Sequence, residues 1–139
     1  MKHNEPVHKI MAADLVSVHE KQKLSDVHHI IVERKIHHVP VVAGGRLIGL
    51  ISATDLLRVS WGDVNRQDPR QVDALLDTLT IRDAMQEDLV TMRRTDTVRH
   101  AAEILSQGEY HSVPVLDDEG MLAGMVTSTD LIKYLLDQY

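Results

Sequence analysis

The chain has 139 residues, of which 43% are hydrophobic but only 3% aromatic, so it can bury a core that must be mainly aliphatic. Its formal net charge of −6 argues against general electrostatic binding of nucleic acid, and the absence of cysteine excludes disulfides, thiolate metal sites and cysteine nucleophiles. The N-terminus is polar, and no apolar run approaches the ~20 residues of a membrane span. We therefore expect a cytoplasmic protein that binds neither nucleic acid nor membrane.

An internal repeat dominates the sequence. The matching segments are residues 11–18 with 85–92, residues 37–41 with 111–115, and residues 49–56 with 124–131. In chain order, each copy predicts a short strand (residues 16–18 or 90–92), an amphipathic helix, a β-hairpin and a second helix that starts at Ser52 or Thr127. The predicted fold class is α/β (α+β), with two β-α-β-β-α repeats. Neither half can bury both faces of a small sheet alone, so we expect the repeats to pack about a pseudo-two-fold axis.

A helical insert is predicted between the copies. The predicted boundaries are residues 7–60 for the first repeat, 61–79 for the linker and 80–137 for the second repeat. Asp68 and Pro69 are a good helix opening, and apolar residues follow at helical spacing. Trp61 is interpreted as a partly buried anchor of this linker. Thr80 and Asp83 predict a capping box that opens the second repeat.

Taken together, these motifs resemble the CBS (cystathionine β-synthase) domain family, in two copies between Val7 and Leu136. The motifs are the Met-containing opening segment, the strands HHVPVV and HSVPVL, and the segments GLISATD and GMVTSTD. The chain is similar to stand-alone bacterial pairs of the acetoin-utilisation type. The resemblance implies a regulatory Bateman module that is not an enzyme and requires no cofactor. Its expected ligand is AMP, ADP or ATP, with S-adenosylmethionine as another candidate. It would act as a homodimer on an unknown protein target.

The segments GLISATD and GMVTSTD carry the candidate binding chemistry. A strand that turns directly into a helix offers free backbone N–H groups to an anion, and Ser52 or Thr127 lies at that turn. The carboxylates of Asp55 and Asp130, three residues on, suit the vicinal hydroxyls of a ribose. The same spacing is also an ordinary capping box. Its occurrence in both copies at the family's spacing favours the ligand interpretation.

The resemblance also implies two clefts, each formed by polar residues of one repeat and strand residues of the other. One cleft would join Thr127, Thr129 and Asp130 with Ile36, His37 and His38. The other would join Ser52, Thr54 and Asp55 with Tyr110, His111 and Ser112. The chain departs from the family at His38 and Ser112, where arginine is frequent, and at Ala12 and Gln86, where Thr or Ser is frequent. We expect the cleft with His38 to bind better, and more tightly as pH falls, because imidazole binds phosphate when protonated.

A metal site, an enzyme and a ligand-free scaffold are the other functional interpretations of this sequence. The adjacent pairs His28-His29 and His37-His38 point in different directions, so no dedicated metal site is expected. Walker A, dinucleotide and nucleophile-elbow motifs are missing, and the repeat places the two aspartates in separate clefts, which argues against catalysis. The alternative function is a ligand-free interaction or scaffold module acting through exposed helices, including residues 68–79. A thermal-shift screen with adenine nucleotides separates this alternative from ligand sensing.

Overall fold

A computed structural model describes residues 4–60 and 68–139 of the chain. They belong to two compact units. The continuous unit is Val16–Leu89, and the split unit combines the residues up to Leu15 with Val90–Tyr139. Each unit holds one three-stranded sheet. The predicted mixed α+β class is confirmed.

The continuous unit contains the first β-α-β-β-α repeat and two further helices. Its elements are β1 (Val18–His19), α1 (Leu24–Arg34), β2 (His38–Ala43), β3 (Arg46–Ser52), α2 (Ala53–Val59), α3 (Pro69–Leu76) and α4 (Ile81–Ala84). β2 is central: it pairs in parallel with β1 and antiparallel with β3. Gly44 and Gly45 form the β2–β3 turn with φ of 58° and 83°, a conformation that favours glycine.

The split unit repeats this topology. Its elements are a 3₁₀ helix (Val7–Lys9), β4 (Met92–Arg93), α5 (Val98–Ser106), β5 (Ser112–Leu116), β6 (Leu122–Thr127) and α6 (Ser128–Asp137). β5 pairs in parallel with β4 and antiparallel with β6. Both β-α-β-β-α repeats are therefore present as predicted. The first strand of each is shorter and lies later than expected, because only two residues pair with the central strand.

Both cores are aliphatic, as the composition predicts. The α1 residues Leu24, Val27 and Ile31, spaced at i, i+3 and i+7, are buried in the continuous unit. In the split unit the core includes Ala101 and Leu105 of α5. Burying a side chain of the size of leucine or isoleucine stabilises the fold by about 1.5–3 kcal/mol, so these helix faces fix α1 and α5 on their sheets.

The two repeats exchange their opening segments. Ala12 of the first repeat pairs with Met125 of β6, through N–H···O bonds of 2.9 Å in both directions. Gln86 of the second repeat pairs in the same way with Leu50 of β3, at 3.0 and 2.9 Å. Each sheet thus receives the segment that opens the other repeat.

Methionine side chains lie on glycines at these junctions. A Cβ on Gly124 would come within 2.6 Å of Met11 Sδ, and a Cβ on Gly49 would overlap Met85 Sδ. These glycines are therefore required by close contact rather than by backbone conformation. Both methionines pack in the hydrophobic core of the unit that receives them.

The inserted helix α3 begins as predicted. The Asp68 side chain accepts a hydrogen bond from Arg70 N at 2.9 Å, and Pro69 is the first helical residue. Val72 and Leu76 are buried in the core of the continuous unit. Trp61 lies outside the described residues, so its interpretation as an anchor stays a prediction.

The capping box predicted for the second repeat is present, where Thr80 and Asp83 begin the short helix α4. Across residues 4–60 and 68–139, none of the helices combines the length and apolarity that crossing a bilayer requires.

Candidate functional site

Each predicted Ser/Thr–Asp pair forms a capping box. In the first cap (Ser52–Asp55), Asp55 Oδ2 accepts bonds from Ser52 N at 2.8 Å and Ser52 Oγ at 2.9 Å, and Asp55 N donates to Ser52 Oγ at 3.1 Å. In the second cap (Thr127–Asp130), the corresponding distances are 2.8, 3.1 and 3.2 Å. One carboxylate oxygen of each aspartate therefore serves the helix start. A ligand would have to use the other oxygen.

In the first cap the second carboxylate oxygen, Asp55 Oδ1, also has partners. Gln86 Nε2 donates to Asp55 Oδ1 at 3.0 Å, and Arg58 Nη2 lies 3.5 Å from the same oxygen. The backbone pairing of Gln86 with Leu50 holds the glutamine next to the cap. Asp55 is only 7% exposed. The first cap is thus a closed network in which both carboxylate oxygens accept hydrogen bonds.

The second cap is open in comparison. The residue paired with Met125 is Ala12, which has no side-chain donor. Among the hydrogen bonds of the described residues, all those to the Asp130 side chain go to Oδ2. Asp130 is partly exposed. Its Oδ1 is therefore the carboxylate oxygen available to a ligand.

A buried hydroxyl lies beside the second cap. Ser112 is directly opposite Thr127 in the β5–β6 ladder, so the two side chains lie on the same face of the sheet. Ser112 is 4% exposed, and its Oγ has no hydrogen-bond partner within the described part of the chain. A buried hydroxyl without a partner is costly, and a bound polar group would remove that cost.

The strand residues lie beside the cap of their own repeat. Ala53 N donates to His37 O at 3.1 Å, and His38 pairs with Ser52 across β2 and β3. Ile36 packs against the core of the same unit. The structure therefore brings His37 and His38 to the first cap, while Ile36 packs on the core of the same unit. Thr54 of this cap is exposed.

The second repeat has the same arrangement. Ser128 N donates to His111 O at 3.4 Å, and Tyr110 packs against the core of the split unit. Thr129 is exposed on the first turn of α6. The grouping across the repeats that the family resemblance implies, Thr127, Thr129 and Asp130 with Ile36, His37 and His38, stays a prediction, as does its counterpart.

Two aspartates bind α1: Asp73 lies within α3, and Asp77 lies at the C-terminal end of α3. Ser25 N and Ser25 Oγ donate to Asp77 at 3.1 and 3.0 Å. His29 Nε2 lies 2.9 and 3.1 Å from the two oxygens of Asp73. Desolvation of the neighbouring His28 lowers its pKa, and the nearby charge of His29 lowers it further. Sequence reasoning missed these contacts because the partners are far apart along the chain and share no motif.

His28, His29 and Asp73 can each place one ligand atom within 4.8 Å of the others. Adjacent histidines rarely chelate one ion by themselves, but Asp73, 44 residues from His29 along the chain, adds a third ligand atom to this pair. That no dedicated metal site exists here stays a prediction.

The family model of the CBS domain matches residues 7–62 and 81–137. The uncharacterized protein MJ1225 of Methanocaldococcus jannaschii is 26% identical over 133 residues, which are 94% of this chain and 47% of MJ1225. The chain thus spans about half the length of this curated relative.

Three solved structures show the same fold. CBSX2 of Arabidopsis thaliana, in complex with AMP, has a TM-score of 0.82 at 21% identity, covering 96% of this chain and 98% of its own. The CBS domain pair of MJ0100, in complex with 5′-methylthioadenosine and S-adenosyl-L-methionine, has a TM-score of 0.74 at 24% identity, covering 96% and 98%. The putative acetoin utilization protein AcuB of Vibrio cholerae has a TM-score of 0.78 at 19% identity, covering 96% and 91%. Since the family model matches most of the sequence in two copies, the chain belongs to the CBS domain family and carries a tandem pair of these domains.

Proposed function

We propose that the chain is a regulatory module that binds an adenine nucleotide or a related adenosine compound and catalyses no reaction. The observation that carries this proposal is the second cap, where Asp130 Oδ1 is open beside the unpartnered hydroxyl of Ser112. The complexes of CBSX2 with AMP and of MJ0100 with two adenosine compounds support the ligand class.

The chemistry of the second cap suits the sugar of such a ligand. A carboxylate oxygen accepts hydrogen bonds from a ribose hydroxyl, and a bond to a charged acceptor is stronger than one between neutral groups. The backbone N–H groups at the start of α6 favour a nearby phosphate. AMP, ADP, ATP and S-adenosylmethionine all carry the ribose that Asp130 would bind.

Ligand binding would shift the equilibrium between two conformational states of the module, because the ligand binds one state more tightly than the other. Such coupling is typically about 1–3 kcal/mol. The proposal includes a homodimer in the cytoplasm and a separate protein target of unknown identity. The exposed apolar residues of α6, Ile132 (59% exposed), Leu135 (42%) and Leu136 (67%), support an interface on this helix.

The scaffold alternative loses part of its support. It assigned the interaction to exposed helices that include residues 68–79, but Val72 and Leu76 of α3 are buried in the core of their own unit. The apolar face of α3 is therefore occupied.

Titration calorimetry of Asp130→Ala tests the proposal, with a thermal-shift screen of AMP, ADP, ATP and S-adenosylmethionine to choose the ligand. Loss of a hydrogen bond to a charged group is worth about 1.5–3 kcal/mol, so we expect roughly ten- to hundred-fold weaker binding. Asp137→Ala, at an exposed residue of the same helix, is the matched control. Unchanged affinity in Asp130→Ala would count against the site, and the absence of a shift with every compound would favour the scaffold alternative.

A further inference from the structure

The two caps can be compared directly, because they lie in the same chain and are formed by equivalent residues of the two repeats. Both have the same capping box and the same strand pairing, but differ in the residue that the exchanged opening segment places in the ladder. That residue is Gln86 beside the first cap and Ala12 beside the second. Gln86 donates to the carboxylate oxygen that a ligand needs, and alanine cannot.

A ligand at the first cap would have to replace an existing hydrogen bond. Asp55 Oδ1 already accepts a hydrogen bond from the uncharged side-chain amide of Gln86. The main chain of Gln86 is held in place by two backbone hydrogen bonds with Leu50. A ribose hydroxyl would exchange one neutral donor for another, so the contact would add little net binding free energy. At the second cap the same hydroxyl would reach Asp130 Oδ1, which has no such partner among the described residues.

We propose that Gln86 is an internal occupant of the first cap, and that the chain consequently binds one adenosine ligand, at the second cap. This inference rests on the proposed function and adds the residue that limits how many ligands each chain binds. The unpartnered Oγ of Ser112, in a side chain that is 4% exposed, marks the second cap independently of Asp130. Across residues 4–60 and 68–139, the fold provides this buried hydroxyl with no hydrogen-bond partner.

The inference can be tested by exchanging the two residues. Gln86 and Ala12 are both exposed, so neither substitution removes a core side chain. Gln86→Ala is expected to open the first cap and raise the stoichiometry from one ligand per chain to two. Adding Asp55→Asn to Gln86→Ala should remove the second ligand again. Ala12→Gln is expected to weaken binding at the second cap about tenfold or more, because its amide can occupy Asp130.

Isothermal titration calorimetry with AMP and with S-adenosylmethionine measures stoichiometry and affinity for each variant, with Gln71→Ala on the exposed surface of α3 as the control for loss of a glutamine. Circular dichroism confirms that each variant is folded. Two ligands bound by the unmodified chain, one ligand bound by Gln86→Ala, or unchanged affinity in Ala12→Gln would each overturn the inference and leave the proposed function standing. Absence of binding in every variant would overturn the proposed function and the inference with it.

Discussion

Substitution of Asp55 by alanine should lower the free energy of unfolding more than substitution of Asp130, although the two residues hold the same place in their repeats. Both changes remove the side-chain acceptor of a capping box. Only Asp55→Ala also removes the acceptor for Gln86 and the ion-pair partner of Arg58. Asp55 is buried, whereas Asp130 is partly exposed.

The magnitudes follow from these contacts. Loss of a helix-capping side chain costs about 0.5–2 kcal/mol, which is the whole expected effect of Asp130→Ala. A hydrogen bond to a charged group contributes about 1.5–3 kcal/mol, and the lower end applies to Gln86 because water can reach its exposed amide. Arg58 is 53% exposed, so its ion pair adds about 0–1 kcal/mol. We therefore expect a loss of about 2–4 kcal/mol for Asp55→Ala.

Urea unfolding followed by circular dichroism measures these differences at pH 7 without ligand. A double-mutant cycle between Asp55→Ala and Gln86→Ala isolates the contribution of their hydrogen bond, which we expect to be about 1.5 kcal/mol. If the two units unfold in separate transitions, each substitution is compared within the transition of its own unit. Equal losses for the two aspartates, or a coupling near zero, would refute the assignment of Gln86 as a bound partner of Asp55.

Three further predictions concern packing, the α1–α3 contact and pH. Gly124→Ala should lower the free energy of unfolding by about 1–3 kcal/mol, because its Cβ would come within 2.6 Å of Met11 Sδ and 2.8 Å of the backbone oxygen of Ala12. An unchanged melting temperature would contradict this. Asp77→Ala should cost about 1–3 kcal/mol and speed hydrogen exchange at the start of α1, because Ser25 is buried and would lose its acceptor; unaltered exchange rates would show that the contact is unimportant. The pKa of His28 lies below its ordinary 6.5, so the native state takes up this proton less readily than the unfolded chain. The stability associated with neutral His28 is then present above pH 6.5 and lost as the pH falls below it. His28→Asn should therefore flatten that part of the curve of unfolding free energy against pH. A curve identical to that of the unmodified chain would refute the effect.

Local features of the fold were accessible from the sequence. The helix starts at Ser52, Thr80 and Thr127 were predicted because a capping box spans only four consecutive residues. The hairpins were predicted because two apolar runs flank a short turn. The first strands were misplaced because β1 and β4 are defined by pairing with a central strand, and apolarity over residues 16–18 or 90–92 does not reveal that register.

The parts of the candidate site that sequence reasoning missed all depend on distant pairing. Residues 12 and 86 were recognised as departures from the family, but their similar segments do not say which sheet each one joins. Without that information, Gln86 could not be assigned to Asp55. The resemblance places Ser112 in the cleft with Asp55, at a position where arginine is frequent, but the burial of its hydroxyl without a partner in the described part of the chain is a property of the folded strand.

The exchange of opening segments sets an order for events during synthesis. Every part of the continuous unit lies within one uninterrupted stretch of chain, so that unit can close once Leu89 has emerged from the ribosome, before the rest of the split unit has emerged. The segment around Met11 leaves the ribosome earlier but has its sheet partner, Met125, far downstream. Its apolar side chains therefore lack their native sheet partner until β6 emerges. A pause in translation after Leu89 has emerged, but before β6 has, would lengthen that interval without affecting the unit that can already fold.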